Sequence, residues 1–117
     1  MSYGFIRVAA AVPSLKVADC AYNVEQMLPL IAEAENNFVE IVLFPELGIT
    51  SYSCGDLFLQ PTIVKGAENA LASLLDFSKQ CDVIIIAGLP VAYGSSLLDC
   101  AVVVRRGNIL EIGRAHV

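Results

Sequence analysis

Short apolar runs, each closed by turn formers and separated by stretches of helical period, constrain this chain most. Phe5 to Val12 is β-rich and ends at Pro13. Val39 to Phe44 reads as a second buried strand, closed by Pro45-Glu46-Leu47, and Val83 to Gly88 as a third. A polar turn, Tyr93 to Ser96, precedes a fourth strand from Leu97 to Arg105, and the turn signal Gly107-Asn108 leads into a fifth at Ile109-Leu110. Between the first two strands, Asn23 suits a helix N-cap, with Gln26 three residues on as in a capping box. Val24, Met27, Leu28, Ile31, Ala34 and Phe38 then share one helical face. Pro29 removes a backbone hydrogen bond and crowds the preceding turn, so a kink or a late helix start is expected. Pro61 suits the first turn of a second helix, along which Val64, Ala67, Leu71, Leu74, Leu75 and Ser78 recur at helical spacing. The order β-α-β-α-β-β indicates an α/β fold, a parallel or mixed sheet covered by helices, with the last two strands close enough for a hairpin.

The 117 residues suffice for one small domain. Hydrophobic residues make up 56% and charged ones 16%, which leaves little polar material to cover the surface of a complete small domain. That balance suits strands buried on both faces, or a piece of something larger. The longest uncharged stretch, Val83 to Leu98, is interrupted by Gly88, Pro90 and Gly94, so no membrane-spanning helix is expected. Arg7 lies inside the N-terminal apolar run and no basic segment precedes it, a poor match to a signal peptide. The net charge of −5 and the lack of a basic patch disfavour nucleic acid. Cys20, Cys54, Cys81 and Cys100 are too far apart for metal-ligand or redox-motif spacing, and free thiols in a cytoplasmic protein are expected.

The last six residues, Ile112 to Val117, match the translation of a common sequencing-adapter read-through. On this reading the native sequence runs to about Glu111 and 112–117 stay outside the fold argument. Arg114 and His116 then carry no functional weight.

Glu46 is the first candidate functional residue. It stands at the carboxyl end of an expected buried strand, where open α/β sheets bind ligands, and Pro45 fixes the backbone before it. By position alone it could equally cap the next segment or sit in solvent. The wider order is more specific: a hydrophobic strand, Phe44-Pro45-Glu46-Leu47, a loop from Gly48 to Gly55, then Asp56-Leu57-Phe58. That order resembles the nitrilase (carbon–nitrogen hydrolase) superfamily, and more specifically the N-terminal glutaminase domain of glutamine-dependent NAD+ synthetases. The likeness extends over residues 5 to 111. It includes Val8 to Pro13, Val17-Ala18-Asp19-Cys20 with Asn23, Tyr52 to Phe58, Ala87-Gly88-Leu89-Pro90, and Ala101 to Val104 with Gly107 to Leu110.

The resemblance implies the N-terminal part of a four-layer α-β-β-α sandwich at residues 1–111, incomplete, with strands contributed to both sheets and much apolar surface uncovered. It implies glutamine as substrate, Glu46 as general base, and a catalytic lysine and cysteine further along. The family's lysine falls a few residues past a turn like Gly107 to Leu110, where Ala115 stands here, so this chain is expected to be inactive as written. ATP and Mg2+ belong to a further synthetase domain that aminates nicotinic acid adenine dinucleotide, and the complete protein is expected to be a homo-oligomer. No cofactor or metal is expected in this chain itself.

Other residues have plainer readings beside functional ones. Tyr52 could line the substrate pocket or simply pack half-buried. Cys54, in the loop after Glu46, is the best alternative nucleophile, although a small pocket-lining role fits it better. Cys20, Cys81 and Cys100 read as small buried hydrophobes. Asp56 suits a cap for Leu57 to Gln60. Asp99 stands where the family often has asparagine, and Arg105 and Arg106 read as solvated. Two rival functions remain open: a stand-alone nitrilase-family amidase, which shares the motif chemistry, and a non-catalytic flavodoxin-like binding domain. The latter is disfavoured because Val12 to Lys16 makes no Gly-rich phosphate loop.

Overall fold

A computed structural model describes residues 6–16, 19–45, 61–93 and 96–114. The described elements run β1 (Val8–Ala10), α1 (Cys20–Asn36), β2 (Ile41–Leu43), α2 (Pro61–Ser78), β3 (Ile84–Tyr93), β4 (Ser96–Arg105) and β5 (Asn108–Arg114). All five strands join one mixed sheet in the order β1-β2-β3-β4-β5. β1, β2 and β3 are parallel, and β3, β4 and β5 antiparallel. The described strands therefore form a single sheet rather than parts of two.

The expected sequence of elements is present, with shifted bounds. β1 and β2 are only three residues long, shorter than their apolar runs. β3 is longer, because it continues past Gly88 in antiparallel pairing with β4 as far as Tyr93↔Ser96. β4 and β5 meet at Arg106 and Gly107, which both have positive φ (50° and 81°). Two central residues with φ > 0 match the twist of a two-residue hairpin. Residues 112–114 continue β5, with Ile112 opposite Val102 and Gly113 opposite Ala101.

α1 starts earlier than its sequence suggests. Its N-cap is Asp19, whose carboxylate accepts the Tyr22 N–H at 3.1 Å, satisfying one of the helix's orphan donors. Asn23 is thus a helical residue and no cap. Pro29 lies well inside the helix, exposed, and the helix runs on to Asn36. Phe38 falls beyond the helix end, so it leaves the buried stripe it was expected to join.

The core lies between the two helices and one face of the sheet. Val42, Ile85 and Val104 stand in register across three strands and are fully buried. Met27 and Ile31 of α1 and Ala67 and Leu74 of α2 close over that face in the same cluster. The alternate residues, Val8, Ala10, Ile41, Leu43, Ile84, Ile86 and Val103, form the other face. No described element covers it, and Val8 and Leu43 remain 59% and 45% exposed.

Polar contacts tie the edges of the layers. The Glu35 carboxylate, near the end of α1, accepts the backbone N–H groups of Asp82 and Val83 at 3.0 Å, anchoring the start of β3. Ser78, fully buried at the end of α2, donates to Leu75 O and accepts the Gly107 N–H, at 2.7 and 2.8 Å. Arg105 and Arg106 are partly exposed but not merely solvated. Arg105 Nε donates to Asp82 O at 2.9 Å, and Arg106 Nε to Asp82 Oδ1 at 2.7 Å.

Candidate active site at the carboxyl end of the parallel strands

The three parallel strands point the same way, so the chain leaves β1 and β2 at one end of the sheet. There the Ala11 N–H donates to Leu43 O and the Phe44 N–H to Ile86 O, each at 2.9 Å. These bonds carry the pairing one step beyond the ends of β1 and β2. Phe44 is buried on the helix-covered side, which fixes the direction in which the chain enters Pro45. A tertiary amide at Pro45 then limits the backbone further. Glu46, the expected general base, follows directly. Glu46, Tyr52, Cys54 and Asp56 lie outside the described residues, as does the expected cap of Leu57 to Gln60.

Two structural walls border this exit. On one side, β3 passes β2 and brings buried Gly88 and Leu89 beyond its end. On the other is the β1–α1 connection, with Pro13 buried. Asn23, completely buried on the first turns of α1, accepts the Lys16 N–H at 2.7 Å and donates to Lys16 O at 2.8 Å. Such a double bond to one residue's backbone imitates the exchange between paired strands. The Lys16 ammonium sits 4.3 Å from the centre of the Tyr22 ring, a cation–π contact. The sequence marked Asn23 as polar at a helix start, but its burial and its loop contact were not legible there.

The three described cysteines are buried, as expected of small hydrophobic residues. Burial pushes the Cys81 thiol above its ordinary value, and the neighbouring Glu35 and Asp82 charges push it the same way. A thiol held protonated is a poor nucleophile, and Cys81 also lies at the opposite end of the sheet from Pro45. Cys20 and Cys100 are buried in α1 and β4. Among the described residues no group of three or more His, Cys, Asp or Glu could hold a metal ion. No helix among them is long and apolar enough to cross a membrane.

The sequence profile of the carbon-nitrogen hydrolase family matches residues 7–116. The chain belongs to that family. Among curated relatives, it is 29% identical over 110 residues to the glutamine-dependent NAD(+) synthetase of Mycobacterium tuberculosis H37Rv, covering 94% of this chain and 16% of that protein. To the glutamine-dependent NAD(+) synthetase of Aquifex aeolicus it is 35% identical over 100 residues, 86% of this chain and 17% of that one. A crystal structure of a glutamine-dependent NAD(+) synthetase from Cytophaga hutchinsonii superposes with a TM-score of 0.83 at 31% identity, over 96% of this chain and 19% of that one. A mutant amidase from Nesterenkonia sp. AN1, with the acetamide moiety of fluoroacetamide added covalently at its active site cysteine, superposes with a TM-score of 0.81. At 16% identity over 96% of this chain and 43% of that one, it shares the fold alone. This carbon-nitrogen hydrolase chain thus spans about one sixth of the first curated relatives it matches.

Proposed function

We propose that this chain is the N-terminal part of the glutaminase domain of a cytoplasmic glutamine-dependent NAD+ synthetase. The observation that carries the reading is the match to the Cytophaga synthetase, which joins 31% identity to a TM-score of 0.83 over 96% of the chain. The complete domain hydrolyses glutamine to glutamate and ammonia. A further domain, using ATP and Mg2+, spends that ammonia on amidating nicotinic acid adenine dinucleotide. No step assigned to this chain passes through ATP or the metal.

Glu46 is the general base. A cysteine thiol is mostly protonated at neutral pH and needs a base within hydrogen-bond reach to attack the glutamine carboxamide. The carboxyl group formed at Glu46 then returns the proton to the leaving ammonia. A lysine beyond residue 111 stabilises the oxyanion of the tetrahedral intermediate. The cysteine, further on, carries the thioester that water cleaves. Tyr52 lines the glutamine pocket. The bonds from Ala11 N–H to Leu43 O and from Phe44 N–H to Ile86 O support this reading, since they carry the chain to Pro45 at the carboxyl end of the parallel strands, where open α/β sheets bind ligands. The open apolar face of the sheet receives the second sheet of a four-layer α-β-β-α sandwich, supplied by the remainder of the same domain.

The polypeptide completed from its source DNA provides the test. Wild type should release ammonia from glutamine, and Glu46→Gln should lower kcat by roughly 10²-fold or more. Full activity in that variant would remove Glu46 from the mechanism. A second reading, a stand-alone amidase, draws on the Nesterenkonia amidase fold. It requires ammonia release from simple amides but no ATP-dependent amidation by the completed protein.

A further inference from the structure

We infer that a cleft at the amino end of the parallel strands binds a free α-amino acid with an apolar side chain, apart from the candidate active site at their carboxyl end. The cleft encloses about 740 Å3, within the range of small-molecule sites. It forms where the chain enters β1, β2 and β3, beside the turn after α1 and the end of β4. Two of its charged groups are already satisfied within the fold. Glu35 accepts the N–H groups of Asp82 and Val83, and Arg106 holds the Asp82 carboxylate. Glu40 is different. Its N–H donates to Arg7 O at 2.8 Å, so Arg7 and Glu40 are neighbours just before β1 and β2. Opposite charges in such neighbouring positions attract, yet these two side chains form no ion pair. Arg7 Nη1 instead donates to Asn37 O at 2.7 Å, and the half-buried Glu40 carboxylate has no partner among the described residues. Arg105 binds Asp82 O through Nε, which leaves guanidinium donors on both arginines. The apolar lining is Val39, Ile84 and the Phe38 ring, exposed and held in the left-handed region. A backbone outlier at an exposed residue adds nothing to stability and points to function. An unpaired carboxylate, guanidinium donors and apolar surface in one cleft match the three parts of an α-amino acid. The ammonium goes to Glu40, the carboxylate to Arg7 or Arg105, and the side chain to the apolar lining. A simple anion is disfavoured by Glu40, and a simple cation by the two arginines.

The test is calorimetric titration of the completed polypeptide with L-leucine, which carries no side-chain amide to hydrolyse. Isocaproate, which lacks the ammonium, and isopentylamine, which lacks the carboxylate, are the comparison ligands. Wild type should bind L-leucine, and each comparison ligand roughly tenfold more weakly or worse. Glu40→Gln removes a charge that has no partner in the fold, so it should leave the Tm unchanged and weaken leucine binding roughly tenfold or more. Phe38→Asn should weaken binding roughly threefold through lost apolar contact, while the fold becomes more stable. Absence of binding by wild type at millimolar leucine, isocaproate bound as tightly as leucine, or an unchanged Kd in Glu40→Gln would each overturn the site. If Glu40→Gln does not fold, Phe38→Asn and the two comparison ligands decide the matter by the same criteria. Binding alone is read, so the outcome is independent of whether the completed polypeptide hydrolyses glutamine.

Discussion

Phe38 occupies the left-handed region (φ 58°) while 81% exposed. An L-residue with a Cβ loses about 1–2 kcal/mol in that conformation, and an exposed ring regains little by burial. Asparagine tolerates the region better through local hydrogen bonds. Phe38→Asn should therefore stabilise the completed protein by about 0.5–1 kcal/mol, read as a raised denaturant midpoint at constant m. Cys81 supplies a pH-dependent contribution. Its folded-state pKa is raised by burial first and by Glu35 and Asp82 next. The stability it contributes is thus fully present below the ordinary thiol range and lost as pH rises through the raised folded value. Cys81→Ala should flatten the fall in stability above about pH 9, seen in melts at several alkaline pH values. Neither residue's behaviour was legible in the sequence. Phe38 fits the helical stripe perfectly well by spacing, and only the turn after Asn36 removes it from that stripe.

Pro29 shows an element winning over a local preference. Of the two expectations at Pro29, a kink or a late start, the late start does not occur: α1 begins at Cys20 and runs to Asn36. Its buried residues Val24, Met27, Ile31 and Ala34 lie on both sides of the proline, so core packing holds the two halves in one helix. The missing N–H and the ring clash still cost free energy. Since Pro29 is exposed, Pro29→Ala should add about 1–3 kcal/mol of stability, measured by chemical denaturation of the completed protein. The element order and types followed from period and punctuation, because apolar runs bounded by turn formers leave few alternatives. The capping assignment failed for a physical reason. Asp19 and Asn23 are both competent caps, and the choice was decided by Lys16, whose backbone claims the Asn23 side chain.

At the scale of the molecule the dominant feature is a sheet with one face covered by two helices and the other apolar and open. Uncovered apolar faces of this kind drive association. The 117-residue chain by itself is expected to self-associate, visible as high-mass species in light scattering. Leu43→Glu should reduce that association in the isolated chain, because Leu43 sits on the open face next to Ile86. In the completed polypeptide the same substitution would bury a carboxylate between sheets and cost several kcal/mol, so folded yield should fall. Opposite signs in the two contexts are expected if the remainder of the domain covers this face. Equal effects would argue against that arrangement.

The class of fold, the order of the elements, and the family, through Phe44-Pro45-Glu46-Leu47 and the segments around it, are legible in the amino-acid sequence. These depend on local period, turn chemistry and short motifs, which are written in consecutive residues. That the described strands share one sheet emerges only from the fold, because strand pairing joins residues far apart in the chain and apolar runs alone do not name their neighbours. It alone showed that Asn23 clamps the loop at Lys16 rather than capping a helix, and that Arg105 and Arg106 hold Asp82. In each case several partners were chemically acceptable, and proximity created by the fold selected one.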